Sequence, residues 1–288
     1  MSESIERVGV VGAGLMGAGI AEVAAKAGTD VTVCDINDAA VAAGRARIEA
    51  SMQKAVKAGK LEEELATAAL HRIRFVTDIG ELADRQLVVE AVREFEDEKL
   101  EVFRNLGKLV IDEHAILASN TSSIPIMKLA MATDRPEHVL GLHFFNPVPV
   151  MRLVELSPSI ITSAAVADRA EDFMVRSLGK RVIRSQDRAG FIVNALFVPY
   201  VLAAIRMLES GFASADDIDA GMVEGCSHPM GPLALADMIG LDTIEAVANS
   251  MYTEFKEPLY APPPLLSRMV EAGLLGRKVG RGFFNYTR

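Results

Sequence analysis

The chain has 288 residues, half of them apolar, and a formal net charge of -9 at pH 7. This length predicts about two domains, and the apolar content favours folded cores over disorder. An acidic chain is unsuited to sequence-independent nucleic-acid binding, which needs a broad basic surface. The two cysteines and five histidines show no metal-ligand spacing, so we expect neither a metal site nor a disulfide framework.

The N-terminal sequence MSESIERVGV lacks both the basic region and the long apolar run of a secretory signal. The sequence also contains no uninterrupted apolar stretch of about 18 residues, the length that a membrane-spanning helix needs. We therefore expect a soluble, cytoplasmic protein that has no membrane partner.

Short apolar runs alternate with helical patterns in the first two thirds of the chain. Such runs are typical of parallel strands that are covered on both faces. The eight predicted strands are Arg7–Val11, Asp30–Cys34, Arg72–Thr77, Leu87–Val92, Ile116–Ser119, Val139–Phe144, Arg152–Leu156 and Arg181–Arg184. The alternation predicts an α/β domain over residues 1–186, with a doubly wound, mostly parallel, Rossmann-like sheet.

The last third of the chain changes to helical patterns separated by SHPMGP and APPP. The predicted helices are Phe191–Ser210, Ala215–Val223, Pro232–Phe255 and Pro262–Ala272. Only the tail sequence GFFNY suggests a further strand. We predict a smaller, all-helical domain over residues 187–288. Its first helix is apolar on most faces, so we expect that helix to be buried against the first domain or a partner chain.

A glycine-rich turn lies between the first predicted strand and the first helix. Gly12, Gly14 and Gly17 have the G-x-G-x-x-G spacing, with Leu15 and Met16 between the last two glycines. In dinucleotide sites the first glycine permits a tight turn, the second admits a pyrophosphate, and the third lets the helix pack on the strand. The helix N-terminus would bind the anion. An ordinary strand–helix turn is the alternative.

The second predicted strand ends at an acidic residue, Asp35. A carboxylate at this point accepts hydrogen bonds from an adenosine ribose and repels a 2′-phosphate, which favours NAD over NADP. Asp35 could instead only cap a turn.

Four polar residues lie where the sheet should present its carboxyl edge, or on the first helix beyond it: Ser122, His143, Glu155 and Asn194. An imidazole can take a proton from an alcohol near neutral pH, and a carboxylate on its other nitrogen would orient it. Ser122 and Asn194 could hold the substrate oxygens. Alternatively, each residue has a structural role: His143 as a satisfied histidine, Ser122 as a helix cap, and Asn194 as a packing hydrogen bond. Glu155 is harder to explain in this way, because a carboxylate in a buried strand needs a partner.

These motifs together resemble the 3-hydroxyacyl-CoA dehydrogenase family over nearly the full chain, and most closely its bacterial 3-hydroxybutyryl-CoA members. The matching segments are GVVGAGLMGAGIA, LASNTSS, GLHFFNPVPVMRLVEL, GFIVN, SHPMGPLALAD and LGRKVGRGFFNY. The resemblance implies that His143 is the catalytic base, that Glu155 pairs with it, and that Ser122 and Asn194 contact the substrate. It also implies cofactor contacts from Glu94, Lys99 and Asn120.

The family's CoA contacts correspond to the segment RARIEASMQKAVKAGK. In this segment Arg47, Ser51 and Lys54 share one face of a predicted helix, and Lys57 is nearby. From the residues alone we interpret this segment as a solvated helix surface. The resemblance makes Ser51, Lys54 and Lys57 candidate CoA contacts.

The resemblance thus implies an NAD-dependent oxidoreductase that interconverts a short (S)-3-hydroxyacyl-CoA and the 3-ketoacyl-CoA. It also implies a homodimer formed through the helical domain. A dehydrogenase acting on a free sugar acid such as gulonate and a non-catalytic NAD-binding structural protein are the alternatives.

Overall fold

The computed structural model describes residues 4–287 of the chain. The chain divides after Arg188 into two compact units. Within residues 4–287, no helix combines the length and apolar character that crossing a membrane requires.

The first unit contains one eight-stranded sheet, as predicted. Its strands are β1 Arg7–Val11, β2 Asp30–Cys34, β3 Ile73–Val76, β4 Leu87–Glu90, β5 Ile116–Ser119, β6 Val139–Phe144, β7 Leu153–Pro158 and β8 Arg181–Arg184. They lie in the order β3-β2-β1-β4-β5-β6-β7-β8. Neighbouring strands are parallel except β6 and β7, which form an antiparallel pair. The doubly wound, mostly parallel sheet is therefore confirmed.

Over residues 4–188, six α-helices accompany the sheet: α1 Leu15–Lys26, α2 Asp38–Lys57, α3 Glu63–His71, α4 Glu96–Leu109, α5 Ile126–Ala130 and α6 Ala164–Asp172. The central strands β4, β5 and β6 are buried at every position, which explains their largely apolar sequences. The order of the strands along the chain reverses between β1 and β4. Ligands of such sheets bind outside the carboxyl ends of the strands at this point.

Over residues 189–287 the second unit contains five α-helices: α7 Val193–Glu209, α8 Ala215–Cys226, α9 Pro232–Ile239, α10 Leu241–Phe255 and α11 Pro264–Glu271. The single helix that we predicted over Pro232–Phe255 is interrupted at Gly240, whose φ of 111° lies in the region that favours glycine. The tail forms only isolated bridges, Gly276 with Arg281 and Arg281 with Asn285. The suggested strand in the tail is therefore wrong.

Candidate active site

The glycine turn leaves an open surface next to the first turn of α1. Gly12 has a φ of +100°, and a Cβ there would lie 2.6 Å from the Ala91 carbonyl oxygen. A Cβ on Gly17 would lie 1.8 Å from the Gly12 oxygen, so the third glycine is required for helix α1 to pack on β1. A Cβ on Gly14 would meet no atom within 4 Å. The backbone at Gly14 is therefore open to a ligand.

The N-terminus of α1 has the character of an anion site. Its N-cap, Gly14, offers no side-chain hydrogen bond to the first turn. The side chain of Leu15 is 62% exposed, and that of Met16 is half-buried. Unbonded N–H groups and the positive end of the helix dipole suit a pyrophosphate. These features fit the dinucleotide that the sequence predicts.

The Asp35 carboxylate is held next to the glycine turn by backbone donors. Its Oδ2 accepts the N–H of Ala13 at 2.6 Å, and its Oδ1 accepts the N–H of Ile36 at 2.7 Å. Each carboxylate oxygen can accept a second hydrogen bond. Asp35 is therefore fixed by the backbone and can still accept hydrogen bonds from a ribose.

The side chains of His143 and Glu155 are in direct contact. The two residues lie opposite each other on the antiparallel strands β6 and β7, and His143 Nδ1 is 2.7 Å from Glu155 Oε2. Glu155 is fully buried, whereas His143 is 7% exposed. A buried carboxylate that accepts from Nδ1 fixes the imidazole orientation and makes Nε2 the proton-transferring nitrogen.

A lysine supports the loop that joins these two strands. Lys180 Nζ donates to the carbonyl oxygens of Val148 at 2.6 Å and Met151 at 2.7 Å. Burial lowers the pKa of the Lys180 ammonium. Helix α1 also packs tightly on this loop, because a Cβ on Gly19 would lie 2.8 Å from the Val148 Cβ. The hairpin is thereby fixed to the helix that begins at the glycine turn.

The turn that contains Ser122 folds around the Glu94 carboxylate. Glu94 Oε1 accepts the N–H groups of Ser122 at 2.9 Å and Ser123 at 3.1 Å, and the hydroxyl of Thr121. Burial would raise the pKa of Glu94, but the Lys99 ammonium and these hydrogen bonds lower it below its ordinary value. The Glu94 side chain is therefore ionised, and its hydrogen bonds hold the turn of residues 121–123 in place.

Ser122 does not cap the following helix, although capping was one of the two roles that the sequence allowed for this residue. Helix α5 begins at Ile126 and has Pro125 at its N-cap. Its first N–H groups, on Ile126 and Met127, are accepted by Asp187 at 2.6 and 2.7 Å. The capping interpretation of Ser122 is therefore wrong. Its half-buried side chain instead lies beside the Glu94 carboxylate, with Oγ 3.4 Å from Glu94 Oε1.

Asn120 connects two strand ends beside the histidine. Its N–H donates to the Glu90 carbonyl oxygen at 2.8 Å, and its Oδ1 accepts the N–H of Phe144 at 2.9 Å. Phe144 follows His143 in the chain. The turn after β5 is thus tied to the end of the strand that carries the candidate base.

A fully buried acidic residue, Glu90, was missed by the sequence reasoning. Its Oε1 lies 2.6 Å from Lys99 Nζ, and its Oε2 accepts the Ser119 hydroxyl at 2.6 Å. Burial raises the pKa of Glu90, although the Lys99 ammonium opposes that shift. Glu90 could have been identified from its position at the end of the apolar run LVVE, because a carboxylate in a buried strand needs a partner. The same argument singled out Glu155.

The remaining predicted residues lie on helices. Ser51, Lys54 and Lys57 all belong to α2, where both lysines are exposed and Ser51 is half-buried. Ser51 lies near the Glu22 carboxylate of α1 and opposes the rise in the Glu22 pKa that burial causes. Asn194 is half-buried in the first turn of α7, in the second unit.

Comparison with known protein families gives two matches that cover almost the whole chain. Residues 7–188 match the NAD-binding domain of 3-hydroxyacyl-CoA dehydrogenase, and residues 190–286 match its C-terminal domain. A 3-hydroxybutyryl-CoA dehydrogenase of Mycobacterium tuberculosis is 58% identical over 99% of this chain and 100% of its own length. One of Bradyrhizobium diazoefficiens is 45% identical over 99% of this chain and 97% of its own length.

Solved structures agree with these matches. The crystal structure of FadB2 from M. tuberculosis superposes with a TM-score of 0.98 at 58% identity, covering 99% of this chain and 100% of that one. The (S)-3-hydroxybutyryl-CoA dehydrogenase PaaH1 of Ralstonia eutropha superposes with a TM-score of 0.93 at 46% identity, with the same coverage. The resemblance seen in the motifs is therefore confirmed.

Proposed function

Because the chain belongs to the 3-hydroxyacyl-CoA dehydrogenase family, we propose that it interconverts (S)-3-hydroxybutyryl-CoA and acetoacetyl-CoA with NAD. The strongest support is the 2.7 Å contact between His143 and Glu155, on the sheet that carries the glycine turn. A base, its orienting acid and a dinucleotide turn are what oxidation of a secondary alcohol requires.

The bound nicotinamide supplies the hydride acceptor for the oxidation. His143 Nε2 takes the hydroxyl proton as the carbonyl forms, and the Glu155 carboxylate stabilises the resulting imidazolium through Nδ1. In the reverse direction the same nitrogen returns the proton. The full burial of Glu155 keeps water from competing for its bond with the imidazole.

We assign the cofactor to the glycine turn, including Leu15 and Met16, and to Asp35. The assignment of Glu94, Lys99 and Asn120 to the nicotinamide end follows the family resemblance. Ser122 positions the substrate hydroxyl, and Asn194 is assigned a substrate contact on the resemblance of GFIVN.

The CoA moiety is assigned to helix α2. Lys54 and Lys57 are exposed there, and their charges are positive in a chain of net charge -9. A local cluster of cations attracts the phosphates of CoA. Ser51 lies one turn before Lys54 and completes this proposed contact surface.

We also propose a homodimer formed through the helical unit, and a cytoplasmic location. Helix α7 carries Leu196 with 74% of its surface exposed, and Phe212 beyond the helix is 80% exposed. Exposed apolar side chains of this size are typical of protein–protein interfaces. Sedimentation of the purified protein tests the dimer.

An absorbance assay of NADH at 340 nm, about the wavelength of its nicotinamide band, tests the function. We expect oxidation of NADH with acetoacetyl-CoA, and much slower turnover with NADPH. Turnover of gulonate instead of 3-hydroxybutyryl-CoA would support the sugar-acid alternative, and NADH binding without any turnover would support the non-catalytic one.

A further inference from the structure

A buried charge network joins two loops at the carboxyl edge of the sheet. Glu90 is the last residue of β4, and it pairs in register with Val11 of β1 and Ser119 of β5. It therefore lies beside the point where the strand order reverses. Glu90, Lys99 and Ser119 are each no more than 1% exposed.

A chain of side-chain contacts leads from the end of strand β4 to the turn of residues 121–123. Glu90 Oε1 holds Lys99 Nζ at 2.6 Å, and the same Nζ lies 3.2 Å from Glu94 Oε2. The other carboxylate oxygen of Glu94, Oε1, accepts hydrogen bonds from the N–H groups of Ser122 and Ser123. The ammonium group thus bridges the fully buried Glu90 side chain and the carboxylate that organises the turn. A parallel path runs through Ser119, whose hydroxyl donates to Glu90 Oε2 and accepts the N–H of Thr121 at 3.1 Å.

A second link from Glu90 reaches the base through the backbone. The Glu90 carbonyl oxygen accepts the N–H of Asn120, and Asn120 Oδ1 accepts the N–H of Phe144, next to His143. The same strand end therefore contributes to the placement of both the serine turn and the strand that carries the histidine.

We propose that Glu90 and Lys99 are positioning residues, which hold the Glu94 carboxylate and through it the turn of residues 121–123. This inference rests on the proposed function for its catalytic consequence, but the order of the turn can be measured without turnover. Lys99 Nζ lies among two carboxylates and the Val92 carbonyl oxygen, so Lys99 holds Glu94 in addition to the cofactor contact that the family resemblance implies. Reacting groups that move by about 1 Å lose rate by up to 10²-fold.

Two substitutions remove the links with little change of shape: Lys99→Met and Glu90→Gln. In the nucleotide-free protein we expect the N–H groups of Ser122 and Ser123 to exchange with deuterium about tenfold faster in Lys99→Met, with a smaller change in Glu90→Gln. In the acetoacetyl-CoA assay we expect kcat to fall by about tenfold or more, with KM for acetoacetyl-CoA changed less than about threefold.

Arg85→Met is the matched control, because it removes a buried charge beside the opposite end of β4. Arg85 is 3% exposed and donates to Asp84 at 2.9 and 2.8 Å. We expect this variant to lower the melting temperature, while exchange at residues 121–123 and kcat stay as in the wild type.

The proposal is overturned if both network variants show wild-type exchange at residues 121–123, or if Arg85→Met accelerates that exchange equally. Should Lys99→Met not fold, the exchange and kcat of Glu90→Gln decide alone. A wild-type protein without dehydrogenase activity would refute the proposed function, whereas the exchange measurement would still test the positioning role.

Discussion

Both units bury carboxylates, but the groups that those carboxylates bind differ. In the first unit, Glu90 and Glu155 are fully buried and each contacts a titratable side chain, Lys99 or His143. In the second unit, Asp237 is also fully buried, yet it accepts the backbone N–H groups of Phe283 and Phe284 and the hydroxyl of Tyr286.

Asp219 repeats the pattern of the second unit. Its two oxygens accept the N–H groups of Leu233 and Ala234, each at 2.8 Å, at the start of α9. A carboxylate bonded to backbone donors fixes the path of the chain. One bonded to an imidazole or ammonium can also govern proton transfer or the placement of a reacting group. The identity of the partner therefore separates structural from functional acids better than burial does.

The largest effect is expected where a buried carboxylate contacts the proposed catalytic base. His143→Ala and Glu155→Gln should each lower kcat by about 10²–10⁴-fold, since they remove the proton acceptor or the charge that stabilises its protonated form. NADH binding, measured by fluorescence titration, should change little. His138→Ala is the control, because within the described residues the His138 ring contacts the backbone carbonyl oxygen of Ala115 and no carboxylate. Wild-type turnover in His143→Ala would contradict the assignment.

Removing the charge of a carboxylate that binds backbone N–H groups should destabilise the second unit. Asp237→Asn should lower the free energy of unfolding in urea by about 3 kcal/mol, because hydrogen bonds to a buried charge contribute about 1.5–3 kcal/mol each. The matched control is Asp242→Asn in the same unit. Asp242 is 41% exposed and pairs with Lys278, so its loss should cost about 1 kcal/mol or less. Equal losses in the two variants would contradict the comparison.

Asp35 gives a sharper test, because its carboxylate accepts the backbone N–H groups of Ala13 and Ile36 and yet lies at the proposed cofactor site. Asp35→Asn should reduce the preference for NADH over NADPH in kcat/KM by about tenfold, since it removes the charge that repels a 2′-phosphate. The two coenzymes are compared at the same acetoacetyl-CoA concentration. An unchanged preference would make Asp35 a purely structural acid, like Asp237.

The smallest expected effect concerns Glu22, which is 1% exposed on α1 and whose Oε1 has no hydrogen-bond partner among the described residues. Burial raises its pKa above 4.5, opposed by the Ser51 hydrogen bond and the Lys26 ammonium. Because the folded state then holds the proton more tightly than the unfolded state, ionisation costs stability as pH rises.

Glu22→Gln should therefore gain stability relative to the wild type as the pH rises from about 4.5 through the folded pKa. Urea unfolding at several pH values measures this difference. Glu113→Gln, a substitution at an exposed position, is measured over the same pH range as the surface control. A stability difference that is constant from pH 4 to 8, a range that spans about the ordinary carboxyl pKa, would show that burial does not perturb this group.

The sequence by itself determined the sheet and much of the chemistry. Apolar runs with period and length typical of covered parallel strands predicted all eight strands, and the glycine spacing predicted the open turn at Gly14. Burial of Glu155 in an apolar run already required a partner. Local sequence carries this information because hydrophobic periodicity and glycine conformation are properties of neighbouring residues.

Only the tertiary structure decided which polar groups meet. The antiparallel register brings His143 opposite Glu155, and the pairing of β4 with β5 brings Glu90 to Ser119, although 29 positions separate those two residues. The helix break at Gly240 likewise went unpredicted, since a single glycine within a helical pattern does not reveal its φ. Partners distant in sequence are selected by strand order and packing, which no local pattern records.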